Sequence, residues 1–214
     1  HACLAIWCGN NEIFEASRFW SWKNRLPSHI YEEKQKGYKI LFEDLLAKAV
    51  EKWDGERFYM HSSPYFSRWD QPEIRNIGDC HHWGVWSGKK PFHIFDQEVP
   101  HFMSEFGFQA FPEMKTIATF ADSVDYRIDS PVMNVHQKSS AGNGLIHTYM
   151  ERDYVVPEKF EDFVYVGLVM QGRGIRQGRL YRRVVYGMEL CKIQQCSCRG
   201  RKEGTCHTYI RKRM

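Results

Sequence analysis

The stretch Phe102-Met103-Ser104-Glu105-Phe106-Gly107-Phe108-Gln109-Ala110-Phe111-Pro112 sets one carboxylate inside an apolar run and stops at a proline. A carboxylate in such surroundings gives up its hydration, so it is paired, hydrogen-bonded or used in chemistry. A second stretch has the same design: Leu4-Ala5-Ile6-Trp7-Cys8 is a short strand-like run, Gly9-Asn10-Asn11 breaks it, and Glu12 follows. Singly, each glutamate is as well explained by a helix cap or an arginine partner. Together, two apolar runs that end on carboxylates suit an α/β barrel whose strands finish at one rim, where such barrels hold their chemistry.

Working outward, residues 3–8 are continuous and apolar, as expected of a parallel strand covered on both sides. Trp20 and Trp22 fall in a loop or short helix over the rim, as packing or as the wall of a subsite. From Tyr38 to Trp53 the residues Ile40, Leu41, Leu45, Leu46, Val50 and Trp53 recur at helical spacing, which predicts an amphipathic outer helix stopped by a left-handed Gly55. Arg57 to Met60 reads as the next strand, and His61, Ser62 and Ser63 as hydrogen-bonding loop residues. His81-His82-Trp83-Gly84-Val85-Trp86 reads as a further strand. Two adjacent histidines on a strand point to opposite sides, which disfavours a shared metal. Ser130 and Pro131 have the pattern of a helix cap and first turn, Gly142-Asn143-Gly144 reads as a turn, and Phe160 to about Arg183 reads as a second outer helix.

Three motifs, Trp7-Cys8-Gly9-Asn10-Asn11-Glu12, Gly78-Asp79-Cys80-His81-His82-Trp83-Gly84-Val85-Trp86 and Met103-Ser104-Glu105-Phe106-Gly107-Phe108-Gln109, stand in the order that resembles the β-mannosidases of glycoside hydrolase family 2. The Cys-Gly-Asn-Asn-Glu and Glu-Phe-Gly-Phe-Gln wordings lean to that branch rather than to its galactosidase and glucuronidase relatives. The resemblance covers residues 1–183 and implies strands four to seven of a catalytic barrel. The fold expectation is therefore α/β, a partial (β/α)8 TIM barrel incomplete at both ends. The 214 residues fall short of the roughly 250 of a complete barrel. Family members also place β-sandwich modules before the barrel, so the resemblance implies missing N-terminal modules and remaining strands as partners.

By the same resemblance Glu105 is the nucleophile and Glu12 the acid/base of a retaining hydrolase that releases terminal β-D-mannose from β-D-mannosides, manno-oligosaccharides among them. Asn11 would bind the sugar 2-hydroxyl and Trp83 would line the pocket beside the nucleophile. Two carboxyls at short range do not both ionise readily, so one keeps a proton and serves as acid while the other attacks. This chemistry needs no metal and no organic cofactor. The isolated stretch is expected to be inactive. The alternatives are a non-catalytic remnant that keeps both glutamates without a pocket, or a β-galactosidase or β-glucuronidase type of exo-glycosidase.

Composition separates the chain at about the same place. The formal charge of +4 hides a net of +10 over residues 171–214 and −6 over residues 1–170. The 7 Trp, 11 Tyr and 14 Phe fit stacking on sugar faces as well as core packing. Cys3, Cys8 and Cys80 are scattered through the body, whereas Cys191, Cys196, Cys198 and Cys206 crowd the tail, a division that fixes no compartment. Residues 184–214 depart from the family, which at this point has a Trp-Gln-x-Asn-Asp-x-Trp-Pro-like eighth strand. Three readings compete for this basic, Cys-rich tail: non-native or disordered sequence after a lost reading frame, a zinc or disulfide cluster, or a basic arm for an anionic surface. The first is favoured because the strand is missing where the composition changes. The cysteine spacing matches no common zinc module, and the expectation is of no nucleic-acid partner. No apolar run approaches the about 18 residues of a membrane span, so no membrane partner is expected.

Overall fold

The computed structural model describes residues 4–65, 68, 70–74, 77–186 and 192–193. Ile6–Cys8 (β1) pairs in parallel with Phe58–Met60 (β2), Ile6 opposite Phe58 and Cys8 opposite Met60. A helical crossover joins them: Ile13–Phe19 (α1), Trp22–Arg25 (α2) and Ser28–Tyr38 (α3), the last running through a π-helical turn, Lys39–Leu45, into Leu46–Asp54 (α4). The pairing continues past the strands as Gly9 N–H donates to Met60 O at 2.9 Å, Ser63 N–H to Asn10 O at 2.9 Å and Glu12 N–H to Ser63 O at 2.7 Å. Parallel strands need such a crossover because their ends lie at opposite ends of the sheet.

The second set of pairings is built on the central stretch. Cys80 N–H donates to Phe102 O at 2.7 Å and His82 N–H to Glu105 O at 2.8 Å, and His81 bridges in parallel to Glu105. Glu105–Phe106 (β3) in turn pairs in parallel with Lys192–Ile193 (β4), Glu105 opposite Lys192. Among the described residues there are thus two two-stranded parallel sheets, with helices Met114–Ile117 (α5), Pro131–His136 (α6), Gly142–Asp153 (α7) and Phe160–Tyr186 (α8) following β3. The result is an α/β fold with a small parallel sheet component. Its core joins Val85, Phe92, Phe95, Met103, Phe106 and Phe108 to Tyr149, Met150, Phe163 and Met170. Close approach of α8 depends on two glycines: a Cβ on Gly174 would lie 2.5 Å from Phe92, and one on Gly178 would lie 2.6 Å from Phe106.

Several local expectations change. β1 is three residues long and exposes Trp7 and Cys8 rather than being covered on both sides. The helix expected over Tyr38–Trp53 begins at Ser28, and its π turn widens the backbone spiral, which rotates the apolar stripe off the face that 3.6-residue spacing assumes. Leu46 and Val50 are half-buried while Ile40, Leu41, Leu45 and Trp53 are exposed. Gly55 sits at φ −62°, right-handed; its Cβ would meet Glu51 O at 2.7 Å, so close approach rather than handedness selects glycine. The strand expected through Trp86 ends after the His81 bridge, and Gly84–Gly88 is a turn with Trp86 at φ 75°. Gly142-Asn143-Gly144 opens α7 instead of forming a separate turn. Ser130 caps α6 as expected, its hydroxyl accepting from Met133 N–H at 3.1 Å. Of the tail, only Lys192–Ile193 and the end of α8 are described; Cys191, Cys196, Cys198, Cys206 and the basic terminus lie outside the described residues. Among the described residues no helix is long and apolar enough to cross a membrane.

Candidate active site

The two pairings converge on His81. Glu12 follows β1 in the left-handed conformation, φ 61° and ψ 3°, with its amide fixed on Ser63 O. That conformation is disfavoured for a residue with a Cβ, and it is stabilised by Asn10, whose side-chain oxygen accepts from Ile13 N–H at 3.1 Å and from the Ser62 hydroxyl at 2.9 Å. The turn directs Glu12 Oε1 to 2.7 Å from His81 Nδ1. Glu105, in β3 and 2% exposed, places Oε2 at 3.7 Å from the same nitrogen. Donor atoms of Glu12, His81 and Glu105 all lie within 4.8 Å of one another.

Three further groups complete the surroundings. The Trp83 indole N–H donates to Glu105 Oε1 at 3.1 Å. Ser63 Oγ lies 2.8 Å from His81 Nε2 and donates to Asp79 Oδ2 at 2.5 Å. Asp79, fully buried, also accepts from the Ser104 hydroxyl and from Tyr65 N–H at 2.7 Å. On the Glu12 side, Arg68 pairs with Glu15 at 3.2 Å and with Asp70 through two nitrogens, and stacks 4.5 Å over Phe19. Burial pushes the Glu15 carboxyl up; the Arg68 guanidinium opposes this and the neighbouring Glu12 carboxyl adds to it.

Of the residues singled out in the sequence, Glu12, Glu105 and Trp83 come together here. Asn11 is exposed immediately before Glu12, its backbone bridged to Ser63. Asn10 is the asparagine committed to structure, with its amide donating to His61 O at 2.7 Å. Sequence reasoning assigned no site role to His81 or Asp79 and read Ser63 as a hydrogen-bonding loop residue. The available signal was the alternation of a strand: His81 faces the glutamates, whereas His82 turns the other way to Glu98, 2.9 Å from Nε2. Glu12, His81 and Glu105 have the composition of a cation site. Ligands about 2.0–2.1 Å from a shared tetrahedral ion lie about 3.3 Å apart, and the 2.7 Å separation of Glu12 from His81 is instead that of a hydrogen bond.

The chain is 30% identical to β-mannosidase B of Emericella nidulans over an alignment of 187 residues, which covers 83% of this chain and 22% of the relative. Its relatives are β-mannosidases. The β-mannosidase B of Aspergillus niger is 28% identical with the same coverages. In three dimensions the β-D-mannosidase of Dictyoglomus thermophilum superposes with a TM-score of 0.71 at 27% identity, over 84% of this chain and 21% of that one. The chain therefore spans about a fifth of the length of the curated β-mannosidases it matches. No protein-family model matches it.

Proposed function

We propose that this chain contains the carboxyl pair of a retaining β-mannosidase of glycoside hydrolase family 2, set on part of a (β/α)8 barrel. The observation that carries this reading is the shared approach of Glu12 and Glu105 to His81, with donor atoms inside 4.8 Å. Retaining glycosidases hold their carboxyls about 5–5.5 Å apart, whereas inverting enzymes leave about 6.5–9.5 Å for a water. The relatives named β-mannosidase support a terminal β-D-mannoside as substrate. The successive parallel pairings β1–β2, His81–Glu105 and β3–β4 support the barrel assignment.

In this mechanism Glu105 attacks the anomeric carbon while Glu12 gives its proton to the departing oxygen. Water then attacks the same carbon, passes a proton to Glu12 and releases Glu105. Trp83 holds one oxygen of Glu105 so that the other faces the sugar, and Asn11, next to the acid, donates to the 2-hydroxyl. Since the chain spans about a fifth of its relatives, we expect the 214 residues alone to turn over substrate far more slowly than a complete relative.

The test uses a 2-deoxy-2-fluoro-β-D-mannosyl fluoride, whose good leaving group and fluorine let the covalent intermediate accumulate without repeated turnover. Peptide mapping by mass spectrometry is expected to locate the sugar on Glu105 and to lose it in Glu105→Gln. Attachment at another residue, or attachment that persists in Glu105→Gln, would overturn the reading.

A further inference from the structure

The leaving alcohol of the proposed reaction meets Glu12, so the groups beside Glu12 decide which alcohols fit. Glu12 and α1 belong to the β1–β2 pairing and Glu105 to the His81–β3 pairing, so α1 leaves the site on the acid side. Glu15 and Phe19, three and seven residues beyond Glu12, share one face of α1 with it. At 1.5 Å per residue they stand about 4.5 Å and about 10.5 Å further along the axis, about one and about two pyranose rings beyond the acid. Side chains on a helix lean towards its N-terminus, which brings Glu15 back towards Glu12. Burial chiefly raises the Glu15 pKa and Arg68 opposes it, but the Glu12 carboxyl and the His81 ring are also close enough to act on its charge.

Arg68 ties this face together. Its side chain and that of Glu15 are 18% and 17% exposed. Nε donates to Asp70 Oδ1 at 3.0 Å, Nη2 to Asp70 Oδ2 at 2.8 Å and Nη1 to Glu15 Oε1 at 3.2 Å, and the guanidinium lies 4.5 Å over the Phe19 ring. A guanidinium has five N–H groups, so one on each terminal nitrogen has no partner among the described residues, and neither has Glu15 Oε2. Fixed donors beside a fixed acceptor suit the neighbouring hydroxyls of a sugar, and the fork loses little freedom on binding them. Phe19 and its neighbour Trp20 are half-exposed, and aromatic rings of this kind present apolar area to the face of a sugar. One arginine stands against the carboxylates of Glu15 and Asp70, so the face offers no excess of positive charge to an acidic group.

We propose that Arg68 and Glu15, with Phe19 and Trp20 beyond them, form a leaving-group subsite for a neutral oligosaccharide of at least two sugars. The first sugar past the cleaved bond gives and takes hydrogen bonds at Glu15 and Arg68, and the second stacks on the rings at the end of α1. The proposal rests on the reading of Glu12 as the acid and deepens it by naming what the acid releases: the reducing-side remainder of an uncharged manno-oligosaccharide rather than a small alcohol or an acidic glycan.

The experiment is 1H–15N NMR of the whole 15N-labelled chain titrated with methyl β-D-mannoside, β-1,4-mannobiose and β-1,4-mannotriose, a binding measurement that needs no turnover. The Arg68 Nε–H resonance is identified by its loss in Arg68→Lys and the Trp20 indole by its loss in Trp20→Phe. Methyl mannoside is expected to leave both in place, mannobiose to move Arg68, and mannotriose to move both while binding at least about tenfold more tightly than methyl mannoside. Arg68→Lys should weaken mannotriose about tenfold, because a lysine cannot keep the planar fork, and Phe19→Ala should remove the advantage of mannotriose over mannobiose. Arg68 and Trp20 unmoved by mannotriose up to its solubility limit, or moved equally by methyl mannoside, overturns the proposal, and the wild-type titration decides this even if a variant fails to fold. A sugar trapped on Glu105 together with an unmoved Arg68 defeats the subsite and leaves the carboxyl pair standing, whereas a sugar trapped on another residue defeats both.

Discussion

Tyr149→Phe removes one oxygen and leaves two main-chain groups without it. Tyr149 is 1% exposed; its hydroxyl accepts from Trp86 N–H at 2.8 Å and donates to Lys90 O at 2.6 Å. The loop it holds is strained. Trp86 at φ 75° and Lys89 at φ 55° both occupy the left-handed region, and the loop is closed by Gly88 N–H on Trp83 O and Lys90 N–H on Gly84 O. A buried polar group left unsatisfied costs ~1–3 kcal/mol. The Trp86 N–H is buried and takes the full cost, while Lys90 is half-buried and its carbonyl can turn to water. The expected loss is therefore about 2 kcal/mol, with about 4–8 °C off the melting temperature of a chain this size. Denaturant unfolding followed by tryptophan fluorescence measures it, with Arg152→Lys as a comparison that removes the guanidinium over the Tyr149 ring and its bond to Lys89 O while leaving the Tyr149 hydroxyl in place. Because Trp83 begins this loop, its contact with Glu105 should loosen too. A loss below about 0.5 kcal/mol, the level of an ordinary surface substitution, would refute the view that Tyr149 fixes the loop.

Gly178→Ala should destabilise by about 1–3 kcal/mol through overpacking against Phe106, whereas Gly172→Ala, which meets nothing within 4 Å, should stabilise by about 0.5–1 kcal/mol; thermal melts of the two variants separate the effects. Ser130→Ala should cost about 1 kcal/mol by removing the α6 cap, read from denaturant midpoints. His61 is held below its ordinary value of 6.5 chiefly by burial, with the Arg18 charge in the same direction and Glu43 opposing, and its Nδ1 lies 2.6 Å from the Tyr38 hydroxyl. A depressed folded value means that this contribution is present above about pH 6.5 and lost as the pH falls through the folded value. Unfolding midpoints should fall with acidification in that window, and His61→Gln should flatten the slope.

What was legible in the sequence was the placing of two glutamates beside strands, Glu12 after β1 and Glu105 in β3. Glu12 and Glu105 each interrupt an apolar run, and interruption of that kind is a local signal. Ser130-Pro131 is likewise local, because a cap and a first-turn proline act within four residues. The long helix over residues 28–54 was misjudged because a π turn shifts every following side chain by one position without any residue that announces it. Asp79, Ser63 and Ser104 could not be connected in advance either. Their hydrogen bonds join stretches 16 and 25 residues apart, and nothing in Ser-Ser-Pro or Gly-Asp-Cys indicates a shared partner.

The strain at Glu12 follows from the same arrangement. A non-glycine residue at φ 61° costs about 1–2 kcal/mol relative to ordinary backbone, and a glycine in that place would avoid the cost while removing the carboxyl. The chain instead spends several bonds on retaining a glutamate there: Glu12 N–H on Ser63 O, Asn10 on Ile13, Ser62 and His61. A helix cap would not need this, since the Glu12 side chain makes no capping bond to α1. The conformation is therefore accounted for by where it directs the carboxyl, toward His81 and away from the helix it precedes. Conversely, Glu105 reaches the same histidine from regular β3 backbone and relies on burial and on Trp83 for its orientation. One carboxyl is mounted on a strained turn, half-buried; the other is mounted on a strand, buried. That asymmetry gives the pair two different environments, the physical condition for two neighbouring carboxyls to differ in their affinity for a proton.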